Sequence, residues 1–349
     1  MEKTEAKSIK SIKNIMKIKT LLLFVFVCAF SVFLIACQQA EVAAERGAGE
    51  TVTVVDSRGV SVTVPYPVER IVCTLNSGLN DLYMLGAGHK VVGIDQWTYD
   101  TTAVFEIMAK IDERIKNREI PAVDGSVENI IAQSPDVVIL WAESPEIEAL
   151  EAQGIPVIGM QINDFDQVFW KLELLATITG TTGRFEEIKA YCERLLQGIE
   201  SAIKEIPESS LKSSIFMWSE GQFAGGDSTG SDILKKSGLT NVTVDVAQEN
   251  FSATMEQIIA WNPETVVMWH SESISPHDII SDGRWRDVSA VINEDILMLP
   301  SNFYCDLWTV KYINSIQIIT GTFYPAYFAG IDAETRQAEF IEFLYGMKL

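Results

Sequence analysis

Residues 126–141 read SVENIIAQSPDVVILW, and residues 254–269 read TMEQIIAWNPETVVMW. The two segments align without gaps at an offset of 128 residues. Seven of sixteen positions are identical, among them Glu128 with Glu256, Pro135 with Pro263 and Trp141 with Trp269. Each segment reads as a short helix, a break at proline and a buried strand. A helix–strand unit recurring at one register predicts two related lobes.

The pattern continues outward from these units. TVTVV and VSVTVP flank the turn DSRG and read as a β-hairpin. PVERIVCTL is a buried strand, NSGLNDLYMLGAG a helix ended by glycine, and KVVGI a second strand before the loop DQWTYD. GIPVIGM is a further strand. From about Phe165 to Ile206 there is no strand signal: DQVFWKLELLATITG and RFEEIKAYCERLLQGIESAIKEI read as two helices, the second spanning roughly 35 Å at 1.5 Å per residue. Strand–helix alternation then resumes with SSIFMWS, GSDILKKSGL, the second repeat unit, ILMLP and VKYINSIQIITGTFYPAYF. The expected fold class is α/β, with two Rossmann-like lobes of mostly parallel sheet covered by helices and joined by a long helical spine. The expected boundaries are a signal peptide over 1–36, a flexible tether over 37–50, one lobe over 51–164, the spine over 165–207 and the second lobe over 208–349.

The N-terminus carries its own chemistry. Six lysines and two glutamates precede an apolar run of 16 residues, Leu21 to Ala36. That run is short against the roughly 20 residues of a membrane span. A basic region, a short apolar core and a small residue before the cut form a secretory signal, with an uncleaved anchor as the alternative. Leu34-Ile35-Ala36-Cys37 matches the bacterial lipoprotein signature, whose cysteine thiol takes a diacylglyceryl group, and two acyl chains hold a protein stably on a bilayer. MKIKT from Met16 would also begin such a signal. Residues 38–50, small and polar, read as the tether.

Loss of those lysines and glutamates with the signal takes the formal charge from -21 to -25. So acidic a surface repels nucleic acid and excludes it as a partner. The cysteines Cys73, Cys192 and Cys305 are widely spaced and form no zinc-type pattern; one disulfide and three buried thiols both remain open, and the burial habit of free cysteine favours the thiols.

The segments VTVVDSRGVSVTVPYPVERIV, VENIIAQSPDVVI and GIPVIGM, the helical spine and the closing FYPAYFAGIDAETRQAEFIEFLYG together resemble the solute-binding proteins of ABC importers for ferric siderophores, haem and cobalamin. The resemblance covers nearly all of residues 51–349. It implies one ligand cleft between two α/β lobes and delivery of cargo to a permease with its ATPase. The protein is expected to be a monomer held at the membrane by the lipid on Cys37, with no cofactor of its own beyond a transported chelate. In that family one acidic residue per lobe docks against permease arginines, which points to Glu128 and Glu256. Their other reading is favourable charge at a helix N-terminus, and the two are compatible.

Ligands of open α/β sheets bind beyond the carboxyl ends of the strands. Those ends supply Asn76 and Ser77; Asp95, Gln96, Trp97 and Tyr99; Trp141 and Glu143; Trp218, Glu220, Gln222 and Phe223; Trp269 and His270; and Ser301, Phe303, Tyr304 and Trp308. Five of the eight tryptophans fall there. Aromatic rings give large, flat contact areas, which suits a bulky planar or macrocyclic ligand. The candidate ligand-binding set is Asn76, Trp97, Tyr99, Trp141, Trp218, Phe223, Trp269, His270, Tyr304 and Trp308. The cations near these ends are His270, with Arg284, Arg286 and Lys311 close by in sequence, fewer than an anionic siderophore would want. With only His89, His270 and His277 in the chain, a bare transition-metal site lacks converging ligands. A small oxyanion or metal ion in the same fold is the alternative cargo.

Gly226-Asp227-Ser228-Thr229-Gly230 matches the esterase GxSxG pattern, and Asp245 and His270 follow in the right order. A nucleophile elbow needs a strand running directly into the serine, whereas GQFAGG intervenes here. Ser228 or Ser231 as a helix cap is the favoured reading. An enzyme is not expected.

Overall fold

The computed structural model of the protein describes residues 49–123, 125–328 and 333–349. The segments expected as signal peptide and, for the most part, tether lie outside the described residues, as does Cys37. Residues 51–349 form one compact unit. Strands β1 (Thr51–Val55) and β2 (Ser61–Pro65) make the expected hairpin, with Thr51 opposite Pro65 and Gly59 at a positive φ of 75° in the turn. Asp56 fixes the hairpin to the body: its carboxylate accepts from Arg58 Nε at 2.7 Å and from the Gly159 amide at 2.9 Å.

The first lobe holds β3 (Ile71–Cys73), β4 (Val91–Ile94), β5 (Val137–Trp141) and β6 (Val157–Met160), in the order β4-β3-β5-β6 and all parallel. The apolar run Val137–Leu140 is buried throughout, as a strand covered on both faces requires. The second lobe holds β7 (Ser213–Ser219), β8 (Gln222–Ala224), β9 (Thr240–Asn241), β10 (Asn250–Ser252), β11 (Thr265–Met268) and β12 (Ile296–Met298). Its parallel centre is β7-β11-β12, and β9 runs parallel beside β7. The residues after β7 do not form the open loop expected from GQFAGG. The chain reverses at Gly221, whose φ is 72°, and returns as antiparallel β8, with β10 outside it.

The repeat seen in sequence is a repeat in structure. Ser126 caps the helix Val127–Ala132 by accepting from the Asn129 amide, and Thr254 caps Met255–Trp261 by accepting from the Gln257 amide, at the same offset. Ser134 and Asn262 both take the left-handed conformation, at φ 47° and 43°. Asp136 then accepts the Arg70 amide just before β3, and Glu264 accepts the Ser213 amide at the start of β7. One local device thus sets the entry of a central strand in each lobe.

The spine consists of helices Phe165–Thr179 and Thr182–Lys204, separated by Gly180 at φ 75°. The second has 23 residues, about 35 Å long. A single large apolar cluster runs from the first sheet through the spine to the helix Tyr312–Phe323, with one smaller cluster on a further face of each sheet. The last helix, Ala333–Tyr345, returns to the first lobe: the Tyr345 hydroxyl donates to Asn80 Oδ1 at 2.8 Å, and Arg184 from the spine donates to the carbonyl of Leu344 at 3.2 Å. Cys73, Cys192 and Cys305 are free, buried thiols. Among the described residues no helix is long and apolar enough to cross a membrane.

Candidate functional site: an aromatic cleft between the lobes

A cavity of about 310 Å³ opens where five strands end. β3 is followed by Thr74, Asn76 and Ser77, β4 by Asp95 and Trp97, and β5 ends on Trp141. In the other lobe β11 is followed by Trp269, and the loop after β12 brings Asn302, Asp306 and Trp308. Strand carboxyl ends from both lobes therefore converge on one cavity, as a two-lobed α/β protein predicts.

Four tryptophans line it, two from each lobe. Trp97 and Trp141 are 45% and 41% exposed, a large apolar area for a folded surface to leave open. Trp269 and Trp308 meet edge to face with centroids 5.6 Å apart. Trp218 stands behind them, stacked on Trp308 at 5.9 Å and tilted against Trp269 at 6.1 Å. Trp218 thus braces the wall and is not part of the lining.

The polar groups are two carboxylates, two hydroxyls and two carboxamides, from Asp95, Asp306, Thr74, Ser77, Asn76 and Asn302. Ser77 Oγ, Asn302 Oδ1 and Asp306 Oδ2 have no hydrogen-bond partner among the described residues. Asp306 is buried, and its other oxygen accepts the Trp308 amide at 3.0 Å. Asp95 is held by the Thr98 amide and hydroxyl at 2.8 and 3.0 Å, and burial raises its pKa. Among the described residues no basic side chain lines the cavity. The helix Asn76–Met84 begins at the cavity wall, and its N-cap, Leu75, supplies no side-chain cap.

Beneath the floor lies a buried charged cluster. Lys171, from the spine, is 2.8 Å from Asp81 Oδ2, both fully buried, and donates to the carbonyl of Trp308 at 2.7 Å. Lys311 donates to Asn80 Oδ1 at 2.9 Å and lies 3.6 Å from the Phe303 ring centroid. Burial pushes Asp81 up to about 6 and Lys311 down to about 8. Lys171 thus ties the first lobe and the spine to the tryptophan wall of the second.

Of the sequence candidates, Asn76, Ser77, Asp95, Trp97, Trp141, Trp269 and Trp308 meet at the cavity. Phe223 does not. It sits on β8, fully buried against Phe251 and Trp285, because the chain doubles back where a loop was expected. Tyr99 is likewise turned inward: its hydroxyl donates to the Ile120 carbonyl at 2.6 Å and Arg118 stacks on its ring. Tyr304 is half-buried beside Phe303, its carbonyl accepting from Asn314. His270 follows Trp269 but is not in the lining, and its buried Nδ1 has no partner among the described residues. Arg284 and Arg286 are exposed and engage Asp282 and Asp287. Thr74, Asn302 and Asp306 were not singled out in sequence. Asn302 and Asp306 sit in the loop after β12 beside the aromatic pair Phe303-Tyr304, and no local pattern distinguishes them from other loop polar residues.

Ser228 is buried and serves as a cap. Its hydroxyl donates to the Gly225 carbonyl at 2.7 Å and accepts the Ser231 amide at 3.1 Å. A Cβ at the neighbouring Gly226 would collide with the Val244 carbonyl, so glycine is required there by close backbone approach. Ser228→Ala is expected to cost about 1 kcal/mol of stability, the usual value of such a cap, read as a lower melting temperature. Appearance of ester turnover in the parent, lost in this variant, would restore the hydrolase reading.

Residues 71–303 match the sequence profile of the periplasmic binding protein family. The chain belongs to that family. This periplasmic binding protein is 21% identical to the molybdate-binding protein MolA of Haemophilus influenzae, over 89% of this chain and 95% of the relative. It is 21% identical to a vitamin B12-binding protein of Vibrio cholerae, over 68% of this chain and 83% of the relative. In fold it resembles Helicobacter pylori CeuE in a Ni-His complex, with a TM-score of 0.73 and 20% identity, over 86% of this chain and 97% of the other. As a periplasmic binding protein of the ABC-importer type it acts outside the cytoplasm, and the relatives it matches are solute-binding proteins rather than enzymes.

Proposed function

We propose that this periplasmic binding protein captures a flat metal chelate, uncharged or cationic, in the aromatic cleft and delivers it to an ABC permease. A corrinoid is the leading candidate; a ferric hydroxamate, octahedral rather than flat but carrying no strong negative charge, is the next. The observation that carries this is the lining: four tryptophans, two from each lobe, around two carboxylates with no basic side chain among the described lining residues. Indole faces suit a planar ring system. The unpartnered Asn302 Oδ1 and Asp306 Oδ2 call for hydrogen-bond donors or positive charge on the ligand, and the Ser77 hydroxyl can serve either a donor or an acceptor. A polyanionic ferric siderophore or haem would face Asp95 and Asp306 with no arginine to offset them. At about 310 Å³ the cavity takes one face of such a chelate and leaves the rest at the mouth. The vitamin B12-binding relatives from vibrios are in keeping with this choice.

A second reading is an oxyanion in the same cavity. It is favoured by the uncapped N-terminus of the helix Asn76–Met84, whose free amides suit an anion, and by the molybdate-binding relative. The two carboxylates oppose it. Calorimetry against cobalamin, a ferric hydroxamate, haem and molybdate separates the readings, with native mass spectrometry of protein from its own host as a check. Binding of cobalamin or the hydroxamate is expected. Tight binding of molybdate, with no chelate bound, would overturn the chelate assignment and leave the importer role.

Docking to the permease is assigned to Glu128 and Glu256, one exposed carboxylate at the matching position of each lobe. Neither lines the cavity. Glu128→Arg or Glu256→Arg is therefore expected to leave cargo affinity unchanged and to impair uptake by whole cells. Loss of cargo affinity with uptake intact would place these residues wrongly. Membrane attachment is assigned to a lipid on Cys37. Cys37→Ser is expected to yield uncleaved precursor or shed protein on fractionation, because a hydroxyl does not replace the thiol acceptor. Normal membrane retention with residue 37 unmodified would refute the anchor.

A further inference from the structure

The polar side chains at the cavity make two different demands. Some are already met. Both Asp95 oxygens accept from Thr98, and the Asn76 carboxamide is held between Asn80 and Thr98. The buried side-chain oxygens of the lining left without a partner among the described residues are Ser77 Oγ, Asn302 Oδ1 and Asp306 Oδ2. Ser77 and Asp306 are each only 5% exposed, and a buried polar atom is costly to leave unpaired.

These atoms fall at two places. Ser77 belongs to the first turn of the helix Asn76–Met84, in the first lobe. The first two residues of that helix line the cavity, and Leu75 before it supplies no side-chain cap. The Leu79 amide donates to the Leu75 carbonyl, so the amides of Asn76, Ser77 and Gly78 have no acceptor within the helix. The Ser77 hydroxyl can join them as a further donor, and such a group of donors suits an oxyanion. Asn302 and Asp306 stand in the loop after β12, in the second lobe. Their free oxygens only accept, so they require donors. A bare oxyanion would leave Asn302 and Asp306 unmet. A simple amine would leave Ser77 and the helix start unmet.

We propose that the cargo is dipolar: a chelate that sets an anionic oxygen group, such as a phosphate, against Ser77 and the start of the helix Asn76–Met84, and N–H donors against Asn302 and Asp306. This rests on the chelate reading given above and adds the orientation of the cargo, one end to each lobe. The amides that favour an oxyanion and the carboxylate that opposes it then serve one ligand.

The test is calorimetry of the mature protein with cobinamide, cobinamide phosphate, inorganic phosphate and molybdate. The two corrinoids share the ring and its carboxamide N–H donors and differ only by the phosphate on the aminopropanol arm. The parent is expected to bind cobinamide phosphate roughly tenfold tighter than cobinamide. Ser77→Asp should erase that preference, because it sets a carboxylate against the phosphate; aspartate suits a first helical turn, and the melting temperature checks that the variant folds. Ser77→Ala, which adds no charge, should reduce the preference severalfold. Asp306→Asn should weaken both corrinoids alike, about tenfold, because its remaining oxygen stays with the Trp308 amide and an N–H group replaces Oδ2. Equal affinity of the parent for the two corrinoids overturns the anionic end. Asp306→Asn binding both as the parent does overturns the donor end. Inorganic phosphate or molybdate bound as tightly as cobinamide phosphate overturns the dipolar assignment in favour of a free oxyanion. A parent that binds neither corrinoid overturns the corrinoid reading, and this inference with it.

Discussion

Lys171→Met is expected to destabilise the protein by about 3–5 kcal/mol, the cost of leaving one member of a buried ion pair without its partner. Lys171 and Asp81 are both fully buried, 2.8 Å apart, and the same ammonium holds the Trp308 carbonyl. Methionine fills the space of the lysine stem but leaves the Asp81 carboxylate buried without its ion-pair partner, with Asp306 and Lys311 as the remaining charges near it. The carboxylate will then take up a proton, which fixes the direction of the pH dependence. Burial already raises Asp81 to about 6 from its usual 3.8. A group raised in the folded state contributes stability that is full below its unfolded value and lost as the pH rises through its folded value. Lys311 runs the other way. Lowered to about 8 from 10.5, its contribution is full above the unfolded value and lost as the pH falls through about 8. In Lys171→Met the Asp81 pKa moves further up, so the deficit should be largest at about pH 8 and shrink at about pH 5. Urea denaturation at the two pH values measures this. Lys171→Met/Asp81→Leu should recover most of the loss, because removing a buried pair entirely is often neutral. A single variant within about 1 kcal/mol of the parent at the higher pH would show that the pair does not hold the floor of the cleft.

Trp269→Ala is expected to weaken cargo binding by on the order of 2 kcal/mol, roughly 30-fold, as truncation of a central aromatic contact does. The ring lines the cavity and also packs edge to face on Trp308. Its removal therefore takes away a contact surface and loosens its neighbour. Trp308→Ala should have a similar effect, and the double variant should lose less than the sum, because the two rings support one another. Phe223→Ala serves as the contrast. It should cost about 3–5 kcal/mol of stability, as a fully buried phenylalanine does, with unchanged affinity in the fraction that stays folded. Calorimetry with the chelate that binds in the panel reads both. Equal affinity for parent and Trp269→Ala would remove the aromatic wall from the site.

Local pattern carried the fold, and the reasons are local. The repeat at Ser126 and Thr254 was legible because a cap, a helix, a left-handed residue, a proline and a buried strand each leave their own residue types in order. The strand ends were legible too, and with them Asn76, Trp97, Trp141, Trp269 and Trp308, since ligands of such sheets sit beyond the carboxyl ends. Tertiary structure decided which side of each strand end faced the cleft. Phe223 looked like a loop aromatic and became core because Gly221 turns the chain back into an antiparallel strand, a pairing set by a distant neighbour, β10. Tyr99 turned inward for a carbonyl 21 residues away. The least legible part was the charged floor. Asp81 and Lys171 lie 90 residues from each other and more than 130 from Asp306 and Lys311, and no local pattern marks the four as a cluster. Only packing of both lobes on the spine brings such charges out of water together, and a charge so buried needs a partner that local sequence does not name.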